Sequence, residues 1–473
     1  MKKGLIILFI LLFVASMLFI GAGCKTQAVA ETTAAATTAA TTAAETTAAE
    51  TIAAETTAAE ETITTEPVKM IWMSSWNLGE PIQIIINDML DQYTKDHPNV
   101  TIERIWGGRE INTNLMATIQ AGNPPDIYDD DPGIINNSIG KDDLALEVTD
   151  LINNTNAFNE DKKVIDIYAP GYLESSKLNG KLYSFPYDQY VSVFWYNKTL
   201  FKKLGITSTP NTWSEFLALC ETIKGKDVPV LIQDGGINFY NSYYVTWLSD
   251  RIEGMNAFRE AVFDKTGASW DKPGFLDAAK KVEELNKKGY FIKGFDGYQW
   301  PAGQIDWAQG AGALMLNHTY LPIEVKDSLP ADFVFGAFPF PAVEGGKGSQ
   351  YDMDSIPGAI AILKSSKYPE IAFDIVKRVI SEEVQSRIIN EAWTLPVRPG
   401  IKLPEQFVDL ENIFKKQTGS FRAYAGGPSQ IEPEWEIKVF YPLDDKLLFG
   451  KITGEDFIKQ IKEQSIAYWE SKK

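Results

Sequence analysis

From Val68 onward the chain alternates two hydrophobic rhythms, and this alternation restricts the fold more than any other feature of the sequence. VKMIWM is a continuous apolar run of the kind that forms a strand buried on both faces of a parallel sheet. The period then changes. Between Ile82 and Asp96 the apolar residues Ile82, Ile85, Ile86, Met89, Leu90 and Tyr93 recur at helical spacing, until His97-Pro98 stops the pattern. VTIERIW (100 to 106) is the next expected strand, followed by a helix near Asn112 to Gln120, a Gly-Asn-Pro-Pro break and a short strand from Asp126 to Tyr128. Strand, helix and strand in turn predict a doubly wound α/β lobe. A second lobe is expected after VSVFWYN. Asn211-Thr212-Trp213-Ser214 opens a helix ending near Lys224, VPVLIQ supplies a strand, a helical run surrounds Tyr243 to Arg251, and DKPGFLDAAKKVEELNKKGY is an amphipathic helix with Pro at its start and Gly near its end.

The 66 residues before this body are of a different kind. Met1-Lys2-Lys3, the apolar stretch Leu5 to Ile20 and Gly21-Ala22-Gly23 before Cys24 have the layout of an export signal cleaved ahead of a cysteine. The pattern resembles the bacterial lipobox, with the departure that Gly21 stands where an apolar residue is usual. Residues 1–23 are therefore expected to be a lipoprotein signal peptide and Cys24 the lipidated N-terminus, an uncleaved anchor being the alternative. Residues 25–66 are almost wholly Ala, Thr and Glu. With no large apolar face they cannot offset their ordering entropy, and the β-branched Thr pairs oppose helix. They are expected to form a flexible tether of roughly 35 Å coil dimension and about 140 Å contour limit.

Composition narrows the function. The 473 residues carry 63 acidic and 45 basic side chains, a net charge of -18 that disfavours binding a phosphate backbone. With only two cysteines and two histidines, a structural zinc site or a disulfide framework is excluded. Cys220, the only cysteine of the body, falls in the helical pattern TWSEFLALCETIK and reads as a core residue.

Several segments of the body carry a family likeness: DHPNVTIE, GNPPDIY, LYSFPYDQYVSVFWYNKTLFKKLGI followed by PNTWSEF, GALMLNHTY, and YPEIAFDIVKRVISEEVQSRI. In this order, behind a lipobox, the chain resembles the extracellular solute-binding proteins of ABC importers, in the carbohydrate-type family that includes maltose-binding protein. The resemblance implies an α/β, two-lobe periplasmic-binding-protein fold with a hinge and an interlobe ligand cleft. It implies lobe 1 at 67–188 plus 353–393 and lobe 2 at 192–350 plus 394–473, with crossings near 186–193 and 350–357. It also implies a monomeric, non-enzymatic receptor, held outside the cell membrane by the lipid on Cys24, which passes a carbohydrate to permease transmembrane subunits. The alternatives are a receptor for iron, a peptide or a polyol, and a secreted glycoside hydrolase.

In open α/β sheets ligands lie beyond the carboxyl ends of the strands. The loops at those places carry aromatics, which cover the C–H faces of a sugar, and carboxylates and amides, which bind its hydroxyls. Candidate ligand contacts are Trp76 after the first strand, Asp129 and Asp130 after DIY, and Tyr187, Asp188 and Tyr190 at the first crossing. Tyr244 in NFYNSYY, Tyr320 after LMLNH, Asp354 at the second crossing and Trp393 before a proline turn complete the set. The family likeness matches Trp76, Asp129 or Asp130, Tyr244 and Tyr320 to ligand contacts, and puts Tyr190 where maltose-binding protein has a Glu. This chemistry calls for no catalytic residue, metal or cofactor. The Asp129–Asp131 run lacks the spacing of an EF-hand loop. The candidate loops contain almost no Arg, which favours a neutral oligosaccharide over phosphorylated or acidic sugars.

Overall fold

In the computed structural model, residues 65–424 and 427–473 are described; the signal-peptide, Cys24 and tether assignments lie outside them, except for the last two tether residues. Residues 63–473 form one compact unit. Its first sheet is built around β1 (Val68–Ser74), which pairs in parallel with β2 (Val100–Trp106) on one side and β3 (Ile127–Asp130) on the other. The helix Pro81–Asp96 links β1 to β2 and buries the stripe that the sequence marks, Ile82 to Tyr93. The helix Ile111–Gln120 links β2 to β3. Burial on both faces of β1 is incomplete: Lys69 is exposed, and full enclosure holds only toward the carboxyl end.

The sheet is mixed. β10 (Ala359–Ile362) returns antiparallel to β3, and the two-residue β4 (Phe185–Pro186) closes the edge, giving the order β2-β1-β3-β10-β4. Helices Pro369–Val379 and Glu382–Glu391 pack against Pro81–Asp96.

The second sheet is antiparallel. β6 (Ser192–Asn197) lies between β7 (Leu314–His318) and β8 (Phe335–Phe338). The unbroken apolar run of β6 follows from its central place: Phe194 and Tyr196 enter one core and Val193 and Trp195 the other. The Thr212–Glu215 capping box opens the helix Trp213–Lys224, with Cys220 buried on its inner face. VPVLIQ departs from its expected strand, since only Leu231 bridges, to Leu314 and Phe291.

The chain passes from the first sheet to the second between Pro186 and Ser192, and back between Phe338 and Ala359. A further passage follows the helix Glu382–Glu391, because the helix Val408–Phe414 packs against β8. These passages bind one another. β5 (Asp188–Gln189) pairs with β11 (Leu395–Pro396), β9 (Met353–Ser355) pairs with β12 (Phe421–Ala423), and Tyr190 bridges Ile356.

Candidate functional site

A cavity of about 540 Å³ opens where the carboxyl ends of β1 and β3 meet the passages between the sheets. The first sheet contributes Ser75 and Trp76 after β1 and Asp129, Asp130 and Asp131 at the end of β3; the passages contribute Tyr187, Asp188 and Tyr190. Across the opening stand Phe239, Tyr320 and Glu324 from the side of the second sheet. Seven of the ten expected contacts thus line one cavity: Trp76, Asp129, Asp130, Tyr187, Asp188, Tyr190 and Tyr320.

The other three do not join them. Tyr244 is fully buried in the second core, edge-on to Phe194 and Phe291. On a helix, adjacent residues point about 100° apart, and it is Tyr243 whose hydroxyl reaches toward the cavity, 3.3 Å from the Tyr320 hydroxyl. Asp354 is also fully buried and accepts the Ser192 backbone N–H at 2.8 Å and the Ser192 hydroxyl at 2.6 Å, which ties the two passages together. Trp393, with a left-handed φ of 53°, packs half-buried against the first core, while its neighbours Ala392 and Thr394 reach the cavity.

Trp76 is held by a chain of hydrogen bonds. Its indole N–H donates to the Tyr187 hydroxyl at 2.5 Å, that hydroxyl donates to Asp129 at 3.0 Å, and the Ser74 hydroxyl occupies the other Asp129 oxygen at 2.6 Å. Asp129 is therefore a positioning residue. Burial pushes its carboxyl up to about 8, against the pull of the Ser74 and Tyr187 bonds. Burial likewise raises Asp131 to about 7 and Asp188 to about 7, and it raises Asp130. Asp131 receives the Gly133 N–H at 2.6 Å, and Asp130 receives the Tyr128 hydroxyl at 2.5 Å.

Behind Tyr320 a second chain of contacts reaches the hinge. The Tyr243 hydroxyl bonds the His318 ring at 2.7 Å, and the far nitrogen of that ring stands 3.6 Å from Asp354. Burial works to raise the Asp354 carboxyl, but His318, Arg422 and Ser192 outweigh it and hold it at about 2. Below it, Arg251 and Arg422 lie over the Trp247 ring at 4.1 and 3.8 Å, and the Trp247 N–H donates to Ser192 at 2.8 Å.

Sequence reasoning missed Arg109, Glu80 and Glu324. The Arg109 guanidinium covers the Trp76 ring at 4.5 Å, donates to the Ser75 carbonyl at 2.5 Å and pairs with Glu80 at 3.1 Å. Arg109 and Glu80 lie in polar loops and Glu324 on the short helix Leu321–Val325, and in neither setting does a lone charge carry a signal that separates it from solvated surface. Phe239 and Asp131 were within reach, since they belong to segments already marked. Among the described residues no group of three or more His, Cys, Asp or Glu stands in metal-binding geometry, and no helix is long and apolar enough to cross a membrane.

A second cavity, of about 510 Å³, lies on the other face of the hinge strand: Gln189 lines it, whereas its neighbour Asp188 lines the first. Its walls, including Pro396, Leu403, Phe414 and Phe421, carry the basic Arg398, Lys402 and Lys415 against one carboxylate, Glu411, where the first cavity has six acids and one base.

Two α/β lobes joined at a hinge, with an aromatic and acidic cleft between them, define a solute-binding fold. The chain belongs to the bacterial extracellular solute-binding protein family, whose pattern it matches over residues 75–386. It is 27% identical over 279 residues to the diacetylchitobiose binding protein NgcE of Streptomyces coelicolor, a match spanning 58% of each chain. The alignment thus spans little more than half of that relative. The fold is that of the sugar-binding protein MalE from Xanthomonas citri (TM-score 0.69, 17% identity, 86% of this chain and 98% of that one). It is also that of apo RafE from Streptococcus pneumoniae (TM-score 0.66, 18% identity, 85% and 98%).

Proposed function

We propose that this protein captures a carbohydrate in the cleft and delivers it to the transmembrane subunits of an ABC permease, from a position outside the cell membrane where Cys24 anchors it by lipid. The observation that carries the reading is the gathering of Trp76, Tyr190 and Tyr320 around one cavity rimmed by carboxylates. Aromatic plates cover the C–H faces of a sugar ring, and carboxyl groups serve its hydroxyls. The relationship to NgcE, a diacetylchitobiose binding protein, supports the same class of ligand. The lobes are assigned to 67–188 plus 353–393 and 192–350 plus 394–473, and the protein acts as a monomer. Ligand touching both lobes favours the closed form over the open one.

An iron site would call for a pair of tyrosines such as Tyr243 and Tyr244, but Tyr244 lies in the core and the Tyr243 hydroxyl is engaged by His318. That geometry gives iron no support. A thermal-shift and calorimetric screen against mono- and oligosaccharides, with iron and peptides as controls, tests the proposal. Stabilisation by a saccharide, with compaction in small-angle scattering and no new reducing ends on prolonged incubation, is the expected result. Response to a control alone, or turnover of the saccharide, refutes it.

A further inference from the structure

We propose that the cleft selects saccharides bearing a protonated amine over their N-acetylated or neutral counterparts. The inference rests on the carbohydrate reading and adds the charge of the ligand to it.

The cavity wall carries six acidic side chains, Glu80, Asp129, Asp130, Asp131, Asp188 and Glu324, and one basic one, Arg109. The basic group is spoken for, since Arg109 pairs with Glu80 at 3.1 Å and bonds the Ser75 carbonyl. Asp129 is satisfied by Ser74 and Tyr187. Asp188 is not. It is fully buried in the wall, one oxygen accepts the Gly358 N–H at 2.5 Å, and the other has no hydrogen-bond partner among the described residues. A buried carboxyl oxygen without a donor is costly, and a ligand donor that meets it is correspondingly rewarded. An ammonium brings up to three N–H donors and a charge, whereas a hydroxyl brings one donor and none.

Arg109 shows what these surroundings accept. The guanidinium lies 4.5 Å over the Trp76 ring beside the Glu80 carboxylate, so an aromatic face and an acid already cradle a cation at the cavity edge. Farther in, Asp131 and Asp188 repeat the acidic half of that arrangement, Glu324 stands exposed at the opposite rim, and the aromatic half is provided by Tyr190, Tyr320 and Phe239. Burial raises the Asp131 and Asp188 carboxyls to about 7, so an arriving ammonium draws them into the ionised form and gains an ion pair. An acetyl group on the nitrogen removes both the charge and the pairing.

The test is calorimetric titration of the full chain at pH 7 with three probes of equal length: glucosamine, N-acetylglucosamine and glucose oligosaccharides. The expected result is affinity for the glucosamine probe at least about tenfold above the other two, with the advantage shrinking as salt is raised. Asp188→Asn keeps an oxygen for the Gly358 N–H and removes the charge; it should abolish most of the preference, read as the ratio of the affinities for the glucosamine and glucose probes. Glu324→Gln provides an independent second variant for the same comparison. Equal or weaker binding of the glucosamine probe, or a preference untouched in both variants, overturns the inference and leaves the carbohydrate reading standing. Failure of all three probes, together with every other saccharide in the screen, overturns both.

Discussion

Replacing Tyr187 by Phe isolates the device that holds Trp76. The Tyr187 ring is fully buried, so Phe fills the same space and only the hydroxyl is lost. That hydroxyl accepts from the Trp76 indole at 2.5 Å and donates to Asp129 at 3.0 Å. Its removal strands one buried carboxyl oxygen, which costs about 1–3 kcal/mol; Trp76 is partly exposed and recovers water, so a loss of about 1–2 kcal/mol of folding free energy is expected. Binding suffers separately. A Trp ring freed in the unliganded protein must be re-ordered by the ligand at about 0.5–1.5 kcal/mol, an affinity loss of roughly 2- to 13-fold. Urea unfolding reads the first quantity and calorimetric titration with the best saccharide reads the second. A double-mutant cycle with Trp76→Phe, which lacks the indole N–H, separates direct from indirect action. If Tyr187 acts through Trp76, the Tyr187→Phe penalty on affinity vanishes in the Trp76→Phe background. An equal penalty in both backgrounds refutes the positioning role.

Other outcomes follow from the same geometry. Asp129 has a folded-state pKa of about 8 against an ordinary carboxyl near 4, so the native protein retains a proton that the unfolded chain releases. Stability therefore falls as pH rises from about 4 to about 8. Asp129→Asn should flatten that fall in melting temperature across pH 4.5–8.5, and identical slopes for variant and parent contradict the assignment. Asp354→Ala leaves the Ser192 donors and the facing His318 buried without their acceptor, with an expected loss of about 3–5 kcal/mol in urea unfolding; a loss under about 1 kcal/mol refutes a hinge-tying role. Cys220 is fully buried and burial raises its thiol pKa, so in a Cys24→Ser chain it should resist aromatic disulfide reagents until the protein unfolds. Stoichiometric reaction with the native protein would show that the helix Trp213–Lys224 opens to solvent.

The first lobe was the most legible part of the fold. β1, the helix Pro81–Asp96 and β2 lie within a residue or so of where hydrophobic period and Pro98 place them, because local pattern and burial agree there. VPVLIQ was less legible: its β-branched residues fit a strand, but the antiparallel partners of β6 are β7 and β8, leaving this segment only isolated bridges. The cleft was legible as a set of loops. Trp76, Asp129, Tyr187, Asp188 and Tyr320 all follow from the rule that loops after strands line the cavity. Which acid reaches the cavity was not legible. Asp188 and Asp354 both sit at passages between the sheets, yet Asp188 lines the cavity and keeps one buried oxygen without a partner among the described residues, whereas Asp354 is consumed by Ser192.

By itself the sequence determined the alternation of elements, the family and the collection of aromatic and acidic loops around one cleft, since each depends on residues close together in the chain. Only the tertiary structure decided roles that depend on partners far away. It turned Tyr243 rather than Tyr244 toward Tyr320, laid Arg109 on Trp76, and brought Glu324 to the wall opposite Asp188. The reason is that hydrophobic period fixes which face of an element is buried, whereas a polar group's role depends on what meets it, and those partners are assembled only by the packing of the two sheets.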